Sequence, residues 1–314
     1  MSKIRVLVVD DSVVVRRIVS DSLESDPAIE VVGIAANGKI AIAKLDRVHP
    51  DLILLDVEMP EMDGLETLAT IRQQHPDLPI IMFSSLTDRG SVATIEALSL
   101  GATDYFAKPN NMKSQEEVQD HIQTKLIPKI KELCGSNRSI PLTHPQCPIG
   151  SDSDTSGGKI ASTKIELLAI GVSTGGPQAL ETVLSQFPPD FPIPIAIVQH
   201  MPPVFTQRLA QRLTRKSQLR VEEGFAGAML EPGVVWIAPG DYHMVLEQYC
   251  GRVRVQLNQD TPEHSCRPAV DVMFRSAAQI YGAGTLAVIL TGMGQDGLLG
   301  CQAIREAGGQ ILVQ

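Results

Sequence analysis

Residues 167–177 read LLAIGVSTGGP. The apolar run Leu167–Ile170 predicts a buried strand. Pro177 suits the first turn of a helix, and Gln178–Leu184 carries a helical pattern behind it. A serine, Ser173, therefore falls on a glycine-flanked turn between strand and helix. Gly171 and Gly175 are expected to let the backbone bend sharply and a substrate approach. N–H groups at the start of a helix favour developing negative charge. Gly-x-Ser-x-Gly in this setting is the nucleophile-elbow pattern. Taken alone, the stretch fits a phosphate-binding glycine loop or a plain tight turn equally well.

Working outward, Leu167–Ile170 is one of several short apolar runs after residue 165. The others are Ile195–Val198, Val234–Ile237, Leu286–Leu290 and Ile311–Val313. Helical patterns fall among them at Gln178–Leu184, Phe205–Leu213, Val270–Ile280 and Leu298–Ala307. The alternation predicts a mainly parallel α/β sheet, with short strands and a hairpin region between Arg220 and Leu257. Ligands in such sheets bind at the carboxyl ends of strands. Ser173, His200 and Asp296 stand at three of those ends. A serine needs a base to become a nucleophile at neutral pH, and the base needs an acid to fix its tautomer. The N–H groups of Thr174 and Met293 are candidates for an oxyanion hole. His243, His264, Asp241 and Asp271 are rival bases and acids, because spacing in sequence does not establish proximity. His200 also reads as a structural hydrogen-bonder, and Asp296 as a helix cap. The order serine, histidine, aspartate differs from the serine, acid, histidine order of α/β-hydrolases. The dinucleotide fingerprint and the P-loop lysine are both absent.

The first 134 residues show the same alternation. Strands are predicted at Ile4–Val9, Ile29–Ile34, Leu52–Leu55, Ile80–Phe83 and Asp104–Phe106. Helices are predicted at Val13–Leu23, Gly38–Val48, Leu65–Arg72 and Val92–Leu100. The strand ends carry Asp10-Asp11, Asp56, Ser84 and the approach to Lys108. Each alone has a plainer reading: a helix cap, a turn acid, a solvated lysine. Together, three carboxylates at one edge raise one another's pKa values, and a divalent cation such as Mg²⁺ would relieve them. A lysine and a hydroxyl beside them would hold a phosphoryl group on an aspartate.

VLVVDDS (Val6–Ser12), LILLDVEMPEMDG (Leu52–Gly64), IIMFSSLT (Ile80–Thr87) and GATDYFAKP (Gly101–Pro109) are similar to the receiver domain of two-component response regulators. The resemblance implies a flavodoxin-like fold with Asp56 as phospho-acceptor. It implies Asp10, Asp11 and the Glu58 carbonyl as Mg²⁺ ligands with Asp56. It also implies Ser84 and Tyr105 as switch residues and Lys108 as the phosphoryl contact. Val118, Ile122, Leu126, Ile130 and Leu133 then form one helical face, with Pro128 expected to kink it. Residues 135–164, rich in Ser, Thr, Gly and Pro, predict a flexible linker.

IGVSTGGPQAL (Ile170–Leu180), IVQHMPPVFT (Ile197–Thr206), APGDYHM (Ala238–Met244), CRPAVDVMFRS (Cys266–Ser276) and LTGMGQDG (Leu290–Gly297) resemble the chemotaxis protein-glutamate methylesterases, the CheB family. The resemblance implies a Rossmann-like catalytic domain over 165–314, with Ser173 as nucleophile, His200 as base and Asp296 as orienting acid. It implies hydrolysis of glutamate methyl esters, and deamidation of glutamines, on cytoplasmic bundles of chemoreceptors. A chemotaxis histidine kinase would phosphorylate Asp56, and the unphosphorylated receiver would mask the active site. The catalytic domain of the family usually runs on by a strand and a helix beyond Gly309–Gln314. A shortened sheet is therefore an expectation here, and a non-enzymatic response-regulator adaptor is the alternative function.

Composition bounds the rest. The 314 residues are 43% hydrophobic and carry a formal charge of -9. That length suits about two domains, and the acidic balance, without a basic recognition helix, argues against nucleic acid. No apolar run suits a membrane span or a secretory signal. Cys134, Cys147, Cys250, Cys266 and Cys301 form no paired spacing, which predicts neither disulfides nor a zinc site and fits the cytoplasm. A monomer is expected.

Overall fold

The computed structural model describes residues 3–85, 87–108, 115–135, 164–292 and 294–314. The linker expected over 135–164 lies, but for its two ends, outside the described residues, as does Met293.

The first unit runs β1 (Ile4–Val9), α1 (Val13–Glu24), β2 (Ile29–Ala35), α2 (Gly38–Val48), β3 (Leu52–Asp56), α3 (Gly64–Gln74), β4 (Ile80–Ser84), α4 (Asp88–Ser99) and β5 (Asp104–Ala107). All its strand pairs are parallel, in the order β2-β1-β3-β4-β5. This is the flavodoxin-like order, and its reversal point lies between β1 and β3. Residues Leu52 to Leu55 of β3 are fully buried. A strand covered by helices on both faces needs such a continuous apolar run. Ser12 caps α1 by accepting from the Val15 N–H, an interaction of about 1 kcal/mol. The last helix is α5 (Gln115–His121), a π-helical stretch (Ile122–Leu126) and α6 (Ile127–Gly135). Pro128 was expected to kink it. The irregularity is the wide turn before the proline, where the Ile127 N–H donates to the Ile122 carbonyl. A proline forfeits its own N–H and crowds the carbonyl four residues back, and a widened turn accommodates both.

The second unit continues with β6 (Leu167–Val172), α7 (Gly176–Leu184), β7 (Ile195–Gln199), α8 (Phe205–Lys216), β8 (Arg220–Glu223) and β9 (Val234–Ile237). A hairpin β10 (His243–Tyr249) and β11 (Arg252–Asn258) follows, then α9 (Val270–Tyr281), β12 (Thr285–Ile289), α10 (Leu298–Glu306) and β13 (Gln310–Val313). Six parallel strands form one sheet, ordered β13-β12-β6-β7-β9-β8, and β10 and β11 pair separately and antiparallel. The chain leaves β6 toward β7, β9 and β8, then returns to β12 on the other side. The reversal point thus falls between β6 and β12, as in a Rossmann-like sheet.

β6 runs two residues beyond its predicted end, so Gly171 is a strand residue and not a bend. Its role is close packing, since a Cβ there would stand 2.6 Å from Val270 Cγ1. Gly175, at φ 74, supplies the bend that opens α7.

The two units touch through α4, which packs on α7 and α8. The Gln178 side-chain amide donates to the carbonyls of Leu98 and Ala102, and Ser99 Oγ lies 3.4 Å from Glu181 Oε2. No helix among the described residues is long and apolar enough to cross a membrane.

Candidate active site

At the reversal point of the second sheet, ladder-like bonds continue past the strand ends and tie three loops together. The Ser173 N–H donates to the Thr291 carbonyl at 2.9 Å, and the His200 N–H to the Val172 carbonyl at 3.2 Å. Thr291 Oγ1 donates to the Thr174 carbonyl at 2.8 Å. Ser173, His200 and Asp296 line one small cleft of about 80 Å³ with Val270, Thr291 and Gly292. Gly292 is required there. Its φ is 143, and a Cβ would stand 2.6 Å from the Ser173 Cβ.

His200 Nε2 lies 2.6 Å from Asp296 Oδ2. The same carboxylate accepts the N–H groups of Val270 (2.7 Å) and Asp271 (2.9 Å), at the start of α9. Burial pushes the Asp296 carboxyl up, but His200 and these two N–H donors outweigh it and hold it below the usual value. Burial alone would lower the His200 imidazole. Asp296, and the Cys266 thiol beside the ring, overcome this and take it up to about 9. Nε2 is thus committed to Asp296, and the Cys266 thiol is the ring's other side-chain partner.

The rival residues have partners of their own, although side-chain atoms of His264, Asp271 and Asp296 lie within 4.8 Å of one another. His243 is buried, with Nδ1 accepting from the Ala269 N–H at 3.2 Å and Nε2 at 3.3 Å from the Thr261 carbonyl. Asp241 pairs with Arg267 at 2.5 Å. His264 pairs with Asp271 at 3.1 Å, and Asp271 also takes the Gly300 N–H. These contacts brace the loop before α9 and leave the cleft to His200 and Asp296.

One buried residue at this site lies within the quoted stretch IVQHMPPVFT but receives no role in the sequence reading. Gln199, at the end of β7, donates from Nε2 to the carbonyls of Ser173 (3.0 Å) and His200 (3.4 Å). Its sequence signal is its place in that stretch, at the end of a predicted strand and next to His200.

The reversal point of the first sheet holds a second cluster. Oxygens of Asp10, Asp11 and Asp56 lie within 4.8 Å of one another, with Asp10 and Asp56 buried and Asp11 exposed. Lys108 Nζ reaches both Asp10 Oδ2 and Asp56 Oδ2 at 2.8 Å. Burial pushes the Asp56 carboxyl up to about 6, Lys108 opposes this, and Asp10 adds to it. Burial would lower the Lys108 ammonium, but the two carboxylates hold it above the ordinary lysine value. The Glu58 N–H approaches Asp56 Oδ1 at 3.4 Å, which keeps that backbone beside the cluster. Ser84 Oγ is turned to the Gly90 carbonyl at 3.2 Å, inside the start of α4. The Tyr105 ring is buried and stacks on Phe205 of the second unit.

The comparisons with known proteins agree with this layout. The model of the response regulator receiver domain matches residues 6–121, and that of the CheB methylesterase matches residues 168–314. A protein-glutamate methylesterase/protein-glutamine glutaminase of Trichodesmium erythraeum is 54% identical over 316 residues, covering all of this chain and 89% of that protein. Proteins of the same name from a Nocardioides species and from Clostridium acetobutylicum are 48% and 41% identical, with 86% of each covered. With a receiver-type acid cluster on one sheet and a serine, histidine and aspartate gathered on the next, this chain belongs to the CheB methylesterase family.

Proposed function

We propose that the second domain is a serine hydrolase in which Ser173 attacks, His200 carries the proton and Asp296 fixes the imidazole. The substrates are methyl esters of glutamate side chains, and certain glutamine amides, on chemoreceptors in the cytoplasm. The observation that carries the reading is the 2.6 Å bond between His200 and Asp296 in the same cleft as Ser173.

In the reaction, neutral His200 takes the Ser173 hydroxyl proton as Oγ bonds to the ester carbonyl carbon. The carbonyl oxygen becomes an oxyanion, which the Thr174 N–H stabilises, the Met293 N–H being the second expected donor. The C–O bond to the methoxy group breaks, and His200 returns the proton to release methanol. Water then attacks the acyl-serine by the same route and frees the glutamate. A glutamine loses ammonia in place of methanol. Asp296 stays ionised throughout and stabilises the imidazolium.

The first domain regulates this chemistry through phosphorylation of Asp56 by a chemotaxis histidine kinase. Its acid cluster suits Mg²⁺. Three carboxylates converge on one ammonium, Lys108, which bridges Asp10 and Asp56, and burial, with Asp10 adding to it, keeps Asp56 at about 6. Asp10, Asp11, Asp56 and the Glu58 carbonyl would hold the ion, which when bound supplies charge neutralisation for an incoming phosphoryl group. Lys108 holds two of these carboxylates in register and remains charged to meet the phosphate. Ser84 and Tyr105 are the switch pair.

Methanol release from methylated receptor membranes, with and without a small phosphodonor, tests the reading. The Ser173→Ala chain is expected to release none while still accepting phosphate. Release at the unsubstituted rate by that variant overturns the assignment.

A further inference from the structure

Gln199 has no place in the serine, histidine, aspartate constellation, yet it is 1% exposed and its amide faces the nucleophile turn. One nitrogen, Nε2, serves the carbonyls of both Ser173 and His200. The amide has one chemically sensible orientation. Reversed, its oxygen would face two carbonyl oxygens with no proton between them. In the orientation adopted, Oε1 is buried and has no hydrogen-bond donor among the described residues. It lies over Gly176, where a Cβ would stand 1.9 Å away. Burying an unsatisfied acceptor is unfavourable. The site tolerates it, and gives up any side chain at position 176, to keep a donor on those two carbonyls.

The peptide plane converts that bond into chemistry. The Ser173 carbonyl also accepts from the Gly176 N–H at 2.9 Å, so it is held inward from two sides. A trans peptide points its N–H opposite to its C=O. Fixing the Ser173 carbonyl inward therefore turns the Thr174 N–H away from the buried side.

We propose that Gln199 is a positioning residue for the hydrolysis: it clamps the Ser173–Thr174 peptide so that the Thr174 N–H faces the developing oxyanion, and ties that turn to the backbone of His200. The proposal rests on Ser173 being the nucleophile. Gln199 touches neither substrate nor reacting atoms, so its effect falls on the transition state and not on binding.

The test uses the full chain, methylated receptor membranes and two variants. Gln199→Met keeps the side-chain length and removes the donor. Its kcat is expected to fall about 100-fold, the usual effect of a lost or misaimed oxyanion donor, with KM within about twofold. Labelling of Ser173 by a fluorophosphonate should slow in parallel. Gln199→Glu preserves the shape. Its carboxyl donates when neutral and cannot when ionised, so its kcat relative to the unsubstituted chain should fall as pH rises. The His200 titration, followed by NMR in both chains, is divided out of that ratio, and the comparison needs only a folded Glu variant, whatever the Met variant does. A ratio that is flat with pH, or an unchanged kcat in Gln199→Met, overturns the proposal. Ser173→Ala run alongside separates the two readings. Continued hydrolysis by Ser173→Ala removes the nucleophile itself, whereas an inactive Ser173→Ala beside fully active Gln199 variants removes only the clamp.

Discussion

The Tyr105 ring of the receiver lies on the Phe205 ring of the catalytic domain, centroids 5.1 Å apart and planes inclined by 13°. Phe205 opens α8, and five residues before it stands His200. Tyr105 belongs to β5, three residues before Lys108, which bridges Asp10 and Asp56. One aromatic contact therefore joins the strand that leads to Lys108 and the proposed phospho-acceptor Asp56 to the helix whose entry loop carries His200, the proposed base.

Breaking this contact should change regulation more than chemistry. An aromatic pair contributes about 0.5–1.5 kcal/mol beyond its buried area, or roughly 2–10-fold in the docking equilibrium. Tyr105→Ala is expected to raise the rate of methanol release without phosphodonor by a factor in that range. The phosphodonor should then add correspondingly less. Gln178→Ala, which removes the bonds to Leu98 and Ala102, should act in the same direction. An unchanged unstimulated rate in both variants would refute the coupling.

The imidazole of His200, raised to about 9, sets a pH dependence. The resting base is protonated at neutral pH, so kcat/KM should rise on the alkaline side, toward about 9. The same shift bears on stability. Folded His200 binds its proton more tightly than the unfolded chain does, so its contribution is full below the unfolded value of about 6.5 and disappears as pH passes about 9. Asp296→Asn should bring the His200 titration down, as followed by NMR, and lower kcat by about 10⁴-fold. Cys266→Ser should lower the titration by less. A His200 titration that stays in place in Asp296→Asn would contradict the pairing.

Much of this was legible in the sequence, for physical reasons that differ by element. Buried parallel strands must be apolar along their length, so Leu52–Leu55 and Leu167–Ile170 announced themselves. Ligand sites sit at strand ends, so Ser173, His200, Asp10 and Asp56 stood out as candidates by position, while their roles came only from the family resemblance. Gly171 was misread as a bend, because glycine in a turn and glycine under a packed Val270 look alike in sequence. Gln199 stood inside a quoted motif, but its contacts were not legible, since a side-chain amide bonding to two carbonyls needs no spacing pattern. The Tyr105–Phe205 stack joins residues a hundred positions apart, and no local periodicity encodes such a pair. The place of β9 between β7 and β8 depends likewise on tertiary packing.

Gly292 offers a test of how tightly Ser173, the proposed nucleophile, is held. Its φ of 143 is unfavourable for any side chain, and an added Cβ meets that of Ser173 at 2.6 Å. Gly292→Ala must push Ser173 or the loop after β12 aside. A shift of about 1 Å at a reacting atom costs on the order of 100-fold. Methanol release is expected to fall by about that factor while phosphorylation of Asp56 proceeds normally. A variant with full hydrolytic rate would mean that Ser173 has room the packing does not suggest.

The acid cluster of the receiver gives a prediction about metal and pH together. Folded Asp56, at about 6, holds its proton more tightly than the unfolded chain. Its titration therefore favours folding below the ordinary carboxylate value of about 4, and this contribution is lost as pH rises through about 6. Above that, two buried carboxylates share one Lys108 ammonium. A divalent cation binds the ionised cluster and not the protonated one, and binding to the folded state alone raises stability. Mg²⁺ should therefore raise the Tm of the receiver more at about pH 7.5 than at about pH 5. Asp10→Asn should remove most of the increment. Asp56→Asn should remove it too, and with it all stimulation of methanol release by a phosphodonor. A Mg²⁺ effect of equal size at both pH values, or one that survives Asp10→Asn, would place the ion somewhere other than this cluster.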